Sequence, residues 1–213
     1  MMTEKRVFAL WLPFVAFGVI ALSLLAFAEL ADGIGANDDL HLFDLKVAHA
    51  LLPHVSPSTL VFFGAVTWLG AGVVLAPLGA LVGGLLLVRR QLVALYAWVL
   101  ALAGSALLNV TLKGWFMRDR PGDTPLLASW SFPSAHAMNS LVAYGMLAYL
   151  LSRVVPRRVM PALIAAAITI PLLVGASRVV LRFHYFTDVV AGFAAGLAWL
   201  TVCITVAELR QRR

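Results

Sequence analysis

The stretch Pro57–Val88, PSTLVFFGAVTWLGAGVVLAPLGALVGGLLLV, contains no charged residue. It is longer than the ~20 apolar residues with which one helix crosses a bilayer. Thr67-Trp68-Leu69-Gly70 offers a break, so a short packing helix is expected first and a membrane span from about Gly70 to Val88 after it. Pro77, Gly79, Gly83 and Gly84 are tolerated inside such a span where neighbouring helices approach closely. Arg89 and Arg90 then mark a tight turn.

Outward from this segment the same composition recurs. Apolar runs from Val7 to about Ala28, Gln91 to Leu112, Ala135 to Leu151, Val159 to Ala176 and Thr187 to Ala207 predict five further spans. The fold class is therefore all-α: an integral-membrane bundle of six helices, in one domain over residues 1–213, with no linker, repeat or low-complexity tract to divide it. Of the residues, 62% are hydrophobic and 12% charged, and the mean hydropathy is +0.94. A soluble domain carries about a quarter charged residues, so that class is excluded. Ala26-Phe27-Ala28 resembles a signal-peptidase site, but the apolar run before it exceeds the ~7–15 residues of a signal core, and a retained first span is expected. Cys203 stands alone, so it forms no intrachain disulfide and reports nothing about redox compartment.

Ala31–Ser56, between spans 1 and 2, is more polar, with Asp32, Asp38, Asp39 and Asp44 against one base, Lys46. Leu42, Leu45, Ala48 and Leu52 recur at helical spacing, predicting an amphipathic helix at the membrane surface or capping the bundle. His41, His49 and His54 are separated by eight and five residues. That spacing does not put two ligands on one helical face, so interfacial histidines are expected there and no metal site.

With six spans, Lys5, Arg6, Arg89, Arg90, Arg153, Arg157, Arg158, Arg210, Arg212 and Arg213 share one side, which the positive-inside rule makes cytoplasmic along with both termini. These anchors account for the net charge of +6 without invoking nucleic acid. The opposite side holds Lys46, Lys113, Arg118, Arg120, Arg178 and Arg182, five of them in two loops. Bases placed against the usual bias need a reason of their own.

Three segments on that side supply one. In Lys113–Pro121, KGWFMRDRP, Lys113 and Arg120 would project from one face if the preceding helix continued so far, while Pro121 turns the chain. In Pro133-Ser134-Ala135-His136, Ser134 suits an N-cap, and the helix start behind it offers N–H groups to an anion. In Ser177–Asp188, SRVVLRFHYFTD, His184 can act as base or nucleophile, Asp188 four residues on can fix its tautomer, and Arg178 adds a fixed positive charge. Ionisable groups at the lip of an apolar segment are costly and usually functional, and this set suits chemistry on phosphate.

Lys-x6-Arg-Pro, Pro-Ser-x-His and Ser-Arg-x5-His-x3-Asp, in this order on one membrane face, resemble the signature of the type 2 phosphatidic acid phosphatase superfamily, whose site is shared with vanadium haloperoxidases. The six-span layout is similar to that of the small bacterial members. The resemblance implies a lipid phosphatase of the bacterial inner membrane, active at the periplasmic or exterior face on a lipid phosphate, without metal or other cofactor. It implies His184 as nucleophile forming a phosphohistidine, Asp188 as its partner and His136 as general acid, then base. Lys113, Arg120, Arg178, Ser134 and the Ala135 N–H would bind the phosphate oxygens. The family usually has glycine where this chain has Ala135; alanine serves if the backbone there is ordinary helix. Undecaprenyl pyrophosphate is the first substrate implied, with phosphatidylglycerol phosphate, phosphatidic acid and lipid A phosphates as competitors. A phosphotransferase passing the group to another lipid is the second reading, and an anion transporter leaves His136, His184 and Asp188 unexplained. Arg118, Asp119, Asp123 and Arg182 are expected to be solvated loop charges, and Trp115, Trp130, Phe183 and Tyr185 interfacial aromatics. The oligomeric state is not legible.

Overall fold

The computed structural model describes residues 4–36, 38–122 and 129–211, and these are helical with no strand among them. The helices are α1 (Glu4–Ala36), α2 (Asp38–Leu51), α3 (Pro57–Val66), α4 (Gly72–Val88), α5 (Leu92–Phe116), α6 (Ala135–Leu151), α7 (Met160–Val180) and α8 (Phe186–Gln211). The six expected spans are α1 and α4 to α8. Of these, α1, α5, α7, α8 and the joined α3–α4 segment are long and apolar enough to cross a bilayer. Helix α6 is shorter, at 17 residues.

The break in Pro57–Val88 falls where the sequence offered it. Ser56 caps α3 by accepting the Thr59 N–H at 3.2 Å, and Pro57 follows as its first residue. A 3₁₀ turn over Thr67–Gly70 then ends in extended backbone at Ala71. Gly70 is required by packing: a Cβ there would lie 2.4 Å from Val174 Cγ1 and 3.2 Å from the His136 carbonyl oxygen. The turn frees Leu69 O to accept the Tyr144 hydroxyl at 2.9 Å and aims Thr67 Oγ1 at Arg178.

Helix α8 is central, packing on α1, α5 and α6. The core joins Trp98 and Ala101 of α5, Val142 and Met146 of α6, and Leu200 and Cys203 of α8. The indole N–H groups of Trp98 and Trp199 donate to Gly79 O at 3.0 Å and Ala101 O at 3.1 Å, which satisfies them in an interior without water. Large apolar side chains such as Phe14, Phe17, Leu22, Val61, Leu81 and Leu107 remain exposed, as lipid-facing helices require. At the end of the bundle away from the α7–α8 turn, Arg153 pairs with Glu208, tying α6 to α8. Arg212 and Arg213 lie outside the described residues.

Two expectations need correction, and a third gains detail. Helix α1 runs to Ala36, past the expected end at Ala28, and takes in the start of the polar segment. Helix α5 ends at Phe116, with Met117 in the left-handed region at φ 43°, so Arg120 is not on the Lys113 helix. Helix α2 forms as predicted, but Leu42, Leu45 and Leu52 are exposed while Asp44, only 2% exposed, faces the protein. Its leucines are exposed, as an interfacial helix requires, and its acid points inward. His41, His49 and His54 are exposed, and among the described residues no three potential metal-ligating side chains converge.

Candidate active site

The site is built on the turn between α7 and α8. Arg178 lies in the last turn of α7, and its carbonyl accepts the N–H groups of Phe183 at 3.0 Å and His184 at 3.1 Å. Arg182, exposed, turns the chain with φ 56°. His184 is therefore held in a turn, and Asp188 sits in the first turn of α8. Asp188 Oδ2 accepts the Tyr185 N–H at 3.0 Å and faces His184 Nδ1 at 3.3 Å. A carboxylate in the first helical turn reaching back to an N–H before the helix is a capping arrangement, so one side chain both starts α8 and orients the imidazole. Its acceptor places the imidazole proton on Nδ1 and leaves the Nε2 lone pair to accept a hydrogen bond from Arg120 Nη1 at 3.2 Å. Burial is the chief reason that His184 is held at about 4, below its ordinary 6.5. The hydrogen bond and charge of Asp188 oppose it, while Arg178 and Arg120 reinforce it. At pH 7 the imidazole is neutral.

The Pro133–His136 segment is pinned from two sides. Asn109 Nδ2 donates to Pro133 O at 3.2 Å, and the Ser134 N–H donates to Asp188 O at 2.9 Å. Ser134 occupies the N-cap position of α6, yet its side chain makes no capping bond and its buried Oγ has no partner. Ala135 begins α6 and is not in the left-handed region, so the absence of glycine strains nothing. His136 follows in the first turn, within Coulombic reach of Arg178, His184, Arg120 and Lys113. This closeness depends on Gly192 of α8, where a Cβ would stand 2.7 Å from Ser134 O.

The cations come from three directions. Lys113, in the last turn of α5, donates to the carbonyls of Trp130 and Ser131. Arg120, in the loop, donates to Ser129 O at 2.8 Å and Phe183 O at 2.7 Å. Arg178 donates through Nη1 to Thr67 Oγ1 at 2.9 Å and stacks on the Phe183 ring at 4.4 Å, while its buried Nε has no partner. All eight residues singled out in the sequence thus converge on one end of the bundle.

Arg118 was expected in solvent and is not there. Its side chain is 9% exposed, donating through Nη1 to Asp188 Oδ1 at 2.6 Å and Thr187 Oγ1 at 2.8 Å, and through Nη2 to Asp44 Oδ2 at 2.8 Å. Tyr185 is likewise no plain interfacial aromatic: Arg118 lies 4.2 Å above its ring and His41 packs on its edge. The available signal was an acid, Asp44, lodged between Phe43 and Leu45. Asp119 is exposed, as is Trp115 at 79%, and Asp123 lies outside the described residues.

Residues 93–212, which contain every one of these motifs, match the model of the PAP2 superfamily. The chain belongs to the PAP2 superfamily. It is a phosphatase of that superfamily and a bacterial integral membrane protein. Phosphatidylglycerophosphatase B of Bacillus subtilis (strain 168) is 38% identical over 138 residues, covering 62% of this chain and 67% of that one. The crystal structure of a transmembrane PAP2 type phosphatidylglycerolphosphate phosphatase from Bacillus subtilis matches with a TM-score of 0.78 and 31% identity, over 91% of this chain and 96% of that one. Aquifex aeolicus LpxE shares the PAP2 fold at a TM-score of 0.57 and 24% identity, over 76% of this chain and 94% of its own.

Proposed function

We propose that this membrane-embedded lipid phosphatase hydrolyses a terminal phosphate from a lipid headgroup through a phosphohistidine on His184, at the outer face of the bacterial inner membrane. The observation that carries the reading is the pair of buried, unpartnered polar atoms, Ser134 Oγ and Arg178 Nε, in the cluster around His184, whose Nε2 accepts from Arg120 Nη1. Buried polar groups without partners are expensive, and a phosphate dianion satisfies both. Lys113, Arg120, Arg178 and the α6 N–H groups supply the charge that phosphoryl transfer needs.

In the first step Nε2 forms a P–N bond while the P–O bond to the lipid breaks, and His136 gives its proton to the departing oxygen. Asp188 holds Nδ1–H and stabilises the positive charge that grows on the ring. In the second step water adds to phosphorus, the P–N electron pair returns to Nε2, and His136 takes the proton. Undecaprenyl pyrophosphate led the substrates implied by the sequence; the name of the Bacillus subtilis relative favours phosphatidylglycerol phosphate. The test is phosphate release by purified protein in mixed micelles, with chelator present, from phosphatidylglycerol phosphate, undecaprenyl pyrophosphate and phosphatidic acid. Wild type should release phosphate, fastest from the first, and His184→Ala should not. Phosphate appearing on an acceptor lipid in place of free phosphate would favour the phosphotransferase reading.

A further inference from the structure

We propose that Arg118 is a positioning residue for His184, acting through Asp188, and that Asp44 of the interfacial helix α2 holds it in place. The inference rests on the reading of His184 as nucleophile.

The network is closed and buried. Arg118 bridges two carboxylates from distant parts of the chain, Asp188 Oδ1 and Asp44 Oδ2, with side chains that are fully inaccessible. Asp44 in turn accepts the Thr187 N–H at 3.0 Å through Oδ1 and the Thr187 hydroxyl at 2.6 Å through Oδ2. Asp188 therefore has its two oxygens divided: Oδ1 belongs to Arg118, and Oδ2 to His184 and the Tyr185 N–H. A guanidinium is planar and can donate from two nitrogens at fixed angles, which suits it to span two acids as an ammonium cannot. Without Arg118 the Asp188 carboxylate is anchored through Oδ2 alone, by the Tyr185 N–H, and the acceptor of the imidazole is held less firmly.

The electrostatics point the same way. Arg118 faces Asp188, Asp44 and Tyr185, while His184 faces Asp188, Arg120 and Arg178, with Lys113 and His136 nearby. Arg118 draws on part of the Asp188 charge. Removing it leaves that whole charge to stabilise the imidazolium, so His184 should protonate at higher pH and lose its nucleophilic lone pair sooner. Removing one member of a buried ion pair also leaves the other uncompensated, and α2 would lose its polar anchor to α8.

The experiment is a set of variants, Arg118→Gln, Arg118→Lys, Asp44→Asn and the Asp44→Asn/Arg118→Gln double, read by kcat, KM and the pH profile of phosphate release. Arg118→Gln should lower kcat about tenfold to a hundredfold with little change in KM, as a misplaced reactive group does. It should also move the acid limb of kcat/KM up by about one pH unit. Arg118→Lys keeps the charge and hence the limb but cannot bridge both acids, so only kcat should fall. The double variant should be no worse than Arg118→Gln, because the two side chains act as one unit. Arg182→Gln, on the same face but exposed, should behave as wild type. Titration of ¹⁵N-labelled histidines by NMR, with His184 assigned through His184→Ala, follows the imidazole without turnover. An upward shift of His184 in Arg118→Gln supports the proposal even if no lipid is hydrolysed, an outcome that sinks the hydrolase reading alone. Unchanged kcat and unchanged titration in Arg118→Gln would overturn it; should that variant not fold, wild-type kcat in Arg118→Lys would do the same.

Discussion

His184 gives the first prediction at the scale of a single residue. Burial, reinforced by Arg178 and Arg120 and opposed by Asp188, holds the imidazole at about 4 against an ordinary 6.5. The folded state therefore favours neutral His184, and its contribution to stability is fully present above pH 6.5 and lost as pH falls through about 4. In the proposed mechanism catalysis has the same sign, because only the neutral ring has a lone pair for phosphorus. Phosphate release should hold from pH 7 to below 6 and fall on an acid limb near 4, checked by kcat/KM against pH in the micelle assay. A limb near 6.5 would show that the ring is wetter than its burial implies. The residues of this site were legible because each carries its chemistry in its type and its spacing: Lys113, Arg120, Ser134, His136, Arg178, His184 and Asp188 converge as the motifs suggest. Arg118 was not legible. Its partners Asp44 and Thr187 lie 74 and 69 residues away in sequence, and an arginine beside a proline turn looks like any solvated charge.

At the scale of elements, the close crossing of α6 and α8 sets the geometry. Gly192 faces the Ser134 carbonyl, and the Ser134 N–H is bonded to the Asp188 carbonyl. The two halves of the site are thus joined backbone to backbone. Gly192→Ala puts a methyl 2.7 Å from a carbonyl oxygen, and backbone cannot give way as a flexible side chain does. The start of α6 must move, carrying Ser134 and His136 with it. Overpacking of this kind costs about 1–3 kcal/mol. A shift of even a fraction of an ångström should also lower kcat about tenfold or more, since the proposed general acid, His136, is on α6 and the proposed nucleophile, His184, is in the turn leading into α8. Thermal unfolding in detergent and the phosphate assay check both effects; wild-type values in both would mean that α6 and α8 can slide apart at no cost. Helix α2 shows what periodicity leaves open at this scale. Its apolar stripe was visible in the sequence, but a stripe at a membrane interface can face lipid as well as protein, and here the buried Asp44 decides.

For the whole molecule, the distribution of charge makes a claim about the bilayer. Arg89, Arg90, Arg153, Arg157, Arg158 and Arg210 stand at one end of the bundle, and the cations of the proposed phosphate site stand at the other. The two sets differ in burial as well as position. Arg89, Arg90, Arg157 and Arg158 are exposed, as membrane anchors are, whereas Lys113 and Arg178 are buried in the site at 9% and 6% exposure. Counted with Lys5, Arg6, Arg212 and Arg213, the set at this end outnumbers the basic residues opposite, of which Lys46 and Arg182 are exposed too, so it should fix the orientation. Cys203 is fully buried, which leaves a clean background for labelling. A cysteine at exposed Asp39, beside the site end, should react with a membrane-impermeant maleimide on intact spheroplasts, and one at exposed Arg157 only after lysis. The reverse pattern would put the site in the cytoplasm, and would mean that the basic residues of the site end had set the topology. With the expected pattern, phosphate is released outside the cell, and the lipid substrate must be presented in the outer leaflet before the enzyme can act on it.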